Sequence, residues 1–167
     1  MAVPNEPITG APSFTLAELC RSRTAEHLRL DNTPNADEIA RLEYLARTVL
    51  QPLRDHFEQP IVVNSGFRSE AVNKAVGGSP TSFHRIGAAA DIRFERSSGS
   101  SLIELFTYVY KSLPFTELIA EELPAGWIHV AVVKGKEDEK QTKYKHAGAQ
   151  VVRAPYDVCI NQIAQCL

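Results

Sequence analysis

Two of the five histidines stand where chemistry is expected. His84 follows the glycine-bearing stretch Gly77-Gly78-Ser79-Pro80 and opens a segment that runs into an apolar strand. Asp91 lies seven residues further on, inside Ala88-Ala89-Ala90-Asp91-Ile92. A carboxylate among such neighbours is costly to bury alone, and buried charges are usually paired or bound to a metal. The three alanines leave room for a bulky group to come close. His129 sits in Trp127-Ile128-His129-Val130-Ala131-Val132. Strand alternation sends Ile128, Val130 and Val132 one way and Trp127, His129 and Ala131 the other, so His129 points from the greasier face towards a cleft. Two imidazoles and a carboxylate form a donor set that suits zinc, and a fourth position left to water is the pattern of a catalytic site. On spacing alone, a hydrogen-bonded His–Asp core pair competes with this reading. His27 and His56 fall on helical segments as surface or rim residues. His146 follows Lys143-Tyr144-Lys145 in a charged loop, a position that carries function more often.

The elements that must hold these residues can be read around them. Ile61 to Asn64 is a β-branched run and predicts a strand. Ser65-Gly66-Phe67-Arg68-Ser69 turns into a short helix, Glu70 to Val76, and residues 77–80 form a loop. Ala88 to Phe94 reads as a buried strand. Leu118 to Glu121 and Trp127 to Val133 read as an antiparallel hairpin joined by Glu122-Leu123-Pro124-Ala125-Gly126. Behind them, Asn35 and Glu38 fit a capping box, and Ile39, Leu42, Leu45, Val49, Leu53 and Phe57 form one helical stripe. Pro52 inside that stripe predicts a kink or break. Gly99 breaks the chain before a second amphipathic helix from Leu102 to Leu113. Residues 14–30 read as short helical pieces, Lys134 to Lys145 as a solvated loop, Gln150 to Arg153 as an edge strand and Tyr156 to Cys166 as a closing helix. Helices and strands mix without a βαβ rhythm, which predicts an α+β fold. A flexible segment over residues 1–13 and a single domain over 14–167 are expected.

The chain has 167 residues, 44% hydrophobic and 23% charged, so a packed core rather than disorder is expected. A formal charge of -2 gives no general reason to bind nucleic acid. No apolar run is long enough to span a bilayer. Residues 1–13 lack the charged and apolar regions of a secretory signal, so the chain is expected to be cytoplasmic as synthesised. Cys20, Cys159 and Cys166 have no paired spacing and read as indifferent thiols.

Several blocks together carry a resemblance. They are Ser65-Gly66-Phe67-Arg68-Ser69, Asn73, Val76-Gly77-Gly78-Ser79, then Ser82-x-His84-x-x-Gly87-x-Ala89-x-Asp91-Ile92, and finally Trp127-x-His129-Val130. In this order they closely resemble the zinc D-alanyl-D-alanine carboxypeptidase family, over about residues 14–133. That family shares its metal-site architecture with phage L-alanyl-D-glutamate endopeptidases and the hedgehog signalling domain. The resemblance implies a small antiparallel sheet that carries the zinc site and packs against helices. It implies that His84, Asp91 and His129 hold one zinc ion. It makes Arg68 the arginine that holds the substrate carbonyl or carboxylate, a role that suits a fixed and permanently charged donor fork. Ser82 matches a position near the substrate pocket, or caps local backbone.

The general base departs from the common pattern, because Gly126 stands three residues before His129, where relatives carry an acid. Leu118-Ile119-Ala120-Glu121 resembles the family strand that ends in glutamate, so Glu121 is the expected base, with Glu122 its competitor on the opposite face. The implied activity is a zinc peptidase acting on peptidoglycan stem peptides, of the D-alanyl-D-alanine carboxypeptidase type. An L-alanyl-D-glutamate or other endopeptidase working as a phage endolysin is the alternative. A non-catalytic zinc-containing binding module, in the manner of hedgehog domains, is the alternative from another class. A monomer is expected, with no stable membrane insertion. It would reach the cell wall after release during phage lysis or as a virion component.

Overall fold

Strands rich in β-branched and small apolar residues build a six-stranded sheet in the order β3-β4-β6-β5-β7-β8. These are β3 (Ile61–Ser65), β4 (Ala89–Phe94), β5 (Glu117–Leu123), β6 (Trp127–Ala131), β7 (Gln141–His146) and β8 (Val152–Arg153). The structure, a computed structural model, describes residues 3–95, 102–123 and 126–165. Gly99, Pro124, Ala125 and Cys166 lie outside the described residues.

The class is α+β, but the sheet that carries the candidate site is neither small nor wholly antiparallel. Its neighbours run antiparallel except β5 and β7, which are parallel. The solvated loop expected over residues 134–145 instead contributes β7. Thr142 is buried and Tyr144 packs against the core, while Lys143 and Lys145 line a cleft on the other face. That period-two pattern is a strand pattern, masked in the sequence by its lysines.

Within the segment expected to be flexible over residues 1–13, the part from residue 7 onward is ordered. Pro7–Ile8 (β1) and Ala11–Thr15 (β2) form a two-stranded antiparallel ribbon. Ile8, Ala11 and Phe14 are buried in the core, and this apolar contact holds the ribbon down.

Short helices follow, α1 (Leu16–Cys20) and α2 (Arg23–Leu28). The long helix starts at the expected capping box, with Asn35 and Glu38 satisfying each other's backbone, and runs as α3 (Ala36–Leu45). A π turn (Ala46–Leu50) then leads into α4 (Gln51–Phe57). The Gln51 N–H bonds back five residues to the Ala46 carbonyl. Pro52 has no N–H to continue the ordinary ladder, so the expected irregularity takes the form of a widened turn just ahead of the proline. The remaining helices are α5 (Glu70–Ala75), α6 (Leu102–Ser112) and α7 (Tyr156–Ala164). No helix among the described residues is long and apolar enough to cross a membrane.

The sheet has two unlike faces. Ala90, Ile92, Leu118, Ala120, Ile128 and Val130 point into the helix-covered core. Asp91, His129 and Ile119 are aligned across β4, β6 and β5, and alternation puts them on the opposite face.

Candidate metal centre and its cleft

Register places two of the three histidine and aspartate candidates side by side: Asp91 of β4 lies opposite His129 of β6. His84 reaches them from a 3-10 turn, Phe83–Ile86. Gly87 ends that turn with a φ of +74, and a Cβ there would meet the Glu38 carbonyl oxygen at 2.6 Å. Glycine is therefore required for the turn to lie this close to α3.

The loop after β3 supports the same histidine. A Cβ on Gly66 would fall 2.1 Å from the Leu19 carbonyl oxygen, so only glycine lets this backbone pass α1. The Gly66 carbonyl accepts from His84 Nδ1 at 2.6 Å. The Arg68 N–H donates to the His84 carbonyl at 3.1 Å. Asn32 ties the loop down by donating to the Cys20 and Phe67 carbonyls and accepting from the Ser69 N–H.

The three side chains converge on one point. His84 Nε2 is 3.1 Å from Asp91 Oδ1 and 3.0 Å from His129 Nδ1, and His129 Nδ1 is 2.9 Å from Asp91 Oδ1. A tetrahedral ion with bonds of about 2.0–2.1 Å has ligand atoms about 3.3 Å apart. The triangle is close to that size, and all three residues are buried. Because His84 Nδ1–H is engaged by Gly66, a neutral His84 presents a lone pair at Nε2. A ring lone pair facing another ring nitrogen and a carboxylate is repulsive unless a proton or a metal ion sits between them. Among the described residues this is the one group of three with metal-ligating geometry.

The electrostatics agree. Burial pulls the His84 ring below the ordinary histidine value. Burial also opposes charge on His129, yet the carboxylates of Asp91 and Glu117 outweigh it and push the ring up to about 9. Burial would raise the Asp91 carboxyl, but the two imidazoles hold it well below the carboxylate range. Without a metal a proton on His129 Nδ1 fills that place, and a metal ion would displace it.

Glu117 is the residue that sequence reasoning missed. Its Oε1 lies 3.5 Å from His129 Nε2, within ion-pair reach but too long for a good hydrogen bond. Nε2 is otherwise buried without a hydrogen-bond partner among the described residues. Lys143 of β7 pairs with the same carboxylate. Burial opposes ionisation of Glu117, but His129 and Lys143 draw its carboxyl down to about 2. Parity was the available signal, since Glu117 is four residues before Glu121 and shares its face.

A cleft of about 730 Å³ opens over the triangle, lined by Arg68, Ser82, Asp91, Glu121, Trp127 and His129 among others. His84 is fully buried behind it. Glu121 pairs with Trp127 across the hairpin, so its side chain shares the face of His129. Burial and the Asp91 charge raise its carboxyl above the usual value. Glu122, expected on the opposite face, also reaches this cleft. Its φ of +54 coincides with a register break between Ala120 and Leu123, which turns the side chain to pair with Lys145. Burial lowers the pKa of the Arg68 guanidinium while Asp91 and Glu121 counteract this, and its Nε is buried without a hydrogen-bond partner among the described residues. Ser82 precedes the 3-10 turn but makes no capping bond with its side chain.

The other histidines lie apart from this group. His56 stacks on Tyr108 with ring centroids 3.7 Å apart, and His27 is exposed on α2. His146 is on β7 rather than in a loop, and its Nε2 bonds Gln162 Oε1 at 2.9 Å.

Comparison with known proteins adds a family context. Residues 12–131 match the family model described as peptidase M15. The zinc D-Ala-D-Ala carboxypeptidase of Streptomyces albus G is 35% identical over 78 residues, a stretch that is 47% of this chain. The same stretch is 29% of that protein, so this chain matches less than a third of its relative's length.

Proposed function

The chain belongs to the peptidase M15 family, and from that premise we propose that it is a zinc-dependent peptidase hydrolysing peptidoglycan stem peptides, of the D-alanyl-D-alanine carboxypeptidase type. The carrying observation is the triangle of His84 Nε2, Asp91 Oδ1 and His129 Nδ1 at the base of a cleft that also holds Glu121 and Arg68. These donors fit zinc in type, spacing and burial.

Zinc, when bound there, supplies Lewis acidity and makes water acidic enough to act as a nucleophile near neutral pH. The protein's own groups account for the rest. Glu121 takes the proton of the attacking water and later delivers it to the leaving amine. Its burial suits this two-way traffic, because a raised pKa brings a carboxylate nearer the working pH. Arg68 offers its fork to the scissile carbonyl oxygen or to a terminal carboxylate, where developing negative charge is best stabilised by a fixed donor. Glu117 fixes the ring orientation of His129 through Nε2. Ser82 supplies a hydroxyl at the cleft wall.

An endopeptidase is the second reading. Arg68 lines a further cleft on its other side, so room for substrate extends past the candidate site. A non-catalytic module would need no acid on the ligand-bearing face, and the position of Glu121 argues against it. The test is mass spectrometry of products after the zinc-loaded protein meets intact peptidoglycan and defined stem peptides. Chelator-sensitive loss of a terminal D-alanine alone is the expected result. Internal cuts establish an endopeptidase, and no cleavage with zinc tightly held refutes the enzyme.

A further inference from the structure

Arg68 stands between two clefts. The second, of about 450 Å³, is lined by Arg21, Arg23, Arg68 and Arg93 together with Asn64 and Ser65 among others. No aspartate or glutamate among the described residues lines it. Among the described residues, none of these four arginines forms an ion pair. Opposing charges act on two of them only through space, Glu18 on Arg21 and Asp91 with Glu121 on Arg68. Four like charges around one concavity, in a chain whose formal charge is -2, give this cleft a positive potential that favours an anion.

One of the arginines is held in place by hydrogen bonds. Arg93 is oriented by Nε donating to Asn64 Oδ1 at 3.2 Å and Nη1 donating to the Phe94 carbonyl at 3.0 Å. Arg21 follows α1 and Arg23 opens α2, and both are exposed. The site borders β3, one of the two edge strands of the sheet, so an extended peptide leaving the metal centre past Arg68 would run along it.

We propose that this second cleft is an anion subsite that binds a carboxylate of the stem peptide remote from the scissile bond, through Arg21, Arg23 and Arg93. The proposal rests on the peptidase reading for its ligand. Stem peptides suit it chemically, because their acidic residues are linked through side chains and keep free carboxylates. Guanidinium forks recognise such groups with two parallel charge-assisted hydrogen bonds. Arg68 would then serve both clefts and set the distance between the remote carboxylate and the bond to be cut.

Two synthetic stem peptides that differ only at the side-chain-linked acidic residue, one free acid and one carboxamide, test this. Their affinities for the zinc-loaded Glu121→Gln protein are measured by calorimetry, which requires no hydrolysis. The acid is expected to bind about tenfold tighter, in line with hydrogen bonds to charged groups. The advantage should shrink with added salt and vanish in the Arg21→Gln/Arg23→Gln protein, whose melting temperature checks the fold. Equal affinities, or no binding of either peptide, overturn the subsite. Displacement by a glycerol phosphate polymer without any preference for the acid peptide assigns the cleft to wall phosphates and overturns it too. Wild-type cleavage of both peptides separates the two readings. Cleavage without an acid preference sinks the subsite alone, and an acid preference in binding without cleavage sinks the peptidase alone.

Discussion

Glu117 faces His129 from the side opposite the metal triangle: Oε1 stands 3.5 Å from Nε2, while Nδ1 of the same ring meets Asp91 and His84. A carboxylate on the far nitrogen fixes the tautomer and raises the basicity of the near one. Replacing Glu117 by glutamine keeps the shape and removes the charge. Zinc affinity is expected to fall about 10–100-fold, the usual cost of losing such an outer partner. Competition with a chromophoric chelator measures it. Wild-type affinity in Glu117→Gln would mean that the 3.5 Å approach is incidental.

Glu121 and Glu122 both reach the cleft, but they have different partners. Glu122 is neutralised by Lys145, whereas Glu121 has no ion pair among the described residues and sits beside Trp127 on the His129 face. Glu121→Gln is expected to lower kcat by about 10²–10⁴-fold, the range for a lost general acid–base, with zinc content unchanged. Glu122→Gln should lose far less. The reverse order of the two losses, read from initial rates on one stem peptide, would transfer the role to Glu122.

Spacing alone left a hydrogen-bonded core pair as a rival, and it was the resemblance of whole sequence blocks that grouped His84, Asp91 and His129. His84 and Asp91 are seven residues apart in one block, and the alternation around His129 is unbroken. Glu117 was hidden because its value depends on pairing with β6 and on Lys143 from a strand further along the chain. An acid at a strand start looks like a solvated end until that register is known. β7 was hidden for a related reason, since its lysines are on the cleft-facing half of an alternation whose other half is Thr142, Tyr144 and His146, with no aliphatic residue among them. Glu122 was misplaced because alternation fails where φ turns positive.

Removal of metal should lower stability as well as activity. Three buried donors converge on one point, and a ligand that binds only the folded chain stabilises it by mass action, about 4 kcal/mol at a thousandfold excess over Kd. Thermal melts with free zinc and with chelator are expected to separate by several degrees. The separation should disappear in His84→Ala. Identical melts for the wild-type protein would show that no ion binds there.

Gly66 joins fold and site in a single residue. An added Cβ would meet the Leu19 carbonyl oxygen at 2.1 Å, and that contact is with backbone, which cannot swing aside. Gly66→Ala must push the loop from α1 and move the carbonyl that orients His84. A loss of about 1–3 kcal/mol in urea denaturation is expected, the usual cost of overpacking, together with weakened zinc binding. Unchanged stability would mean that the loop has slack the close approach does not suggest.

The thiols give a prediction independent of the metal. Burial pushes Cys20 up to about 12, with Glu38 adding to the effect, and pushes Cys159 up to about 11. Reactivity belongs to the thiolate, so neither should react with iodoacetamide at pH 8 while the chain is folded. Both should be labelled in denaturant, and peptide mass spectrometry distinguishes the sites. The same shifts carry a sign for stability. A thiol whose folded value lies above its ordinary 9.0 holds its proton more tightly in the folded chain. Its contribution is complete below about pH 9 and is lost as pH rises towards 11 and 12. Melting temperature should therefore fall above pH 9, and Cys20→Ala should flatten that fall while removing its share of core packing. Rapid labelling of Cys20 in the folded chain at pH 8 would show that α1 opens readily from the core.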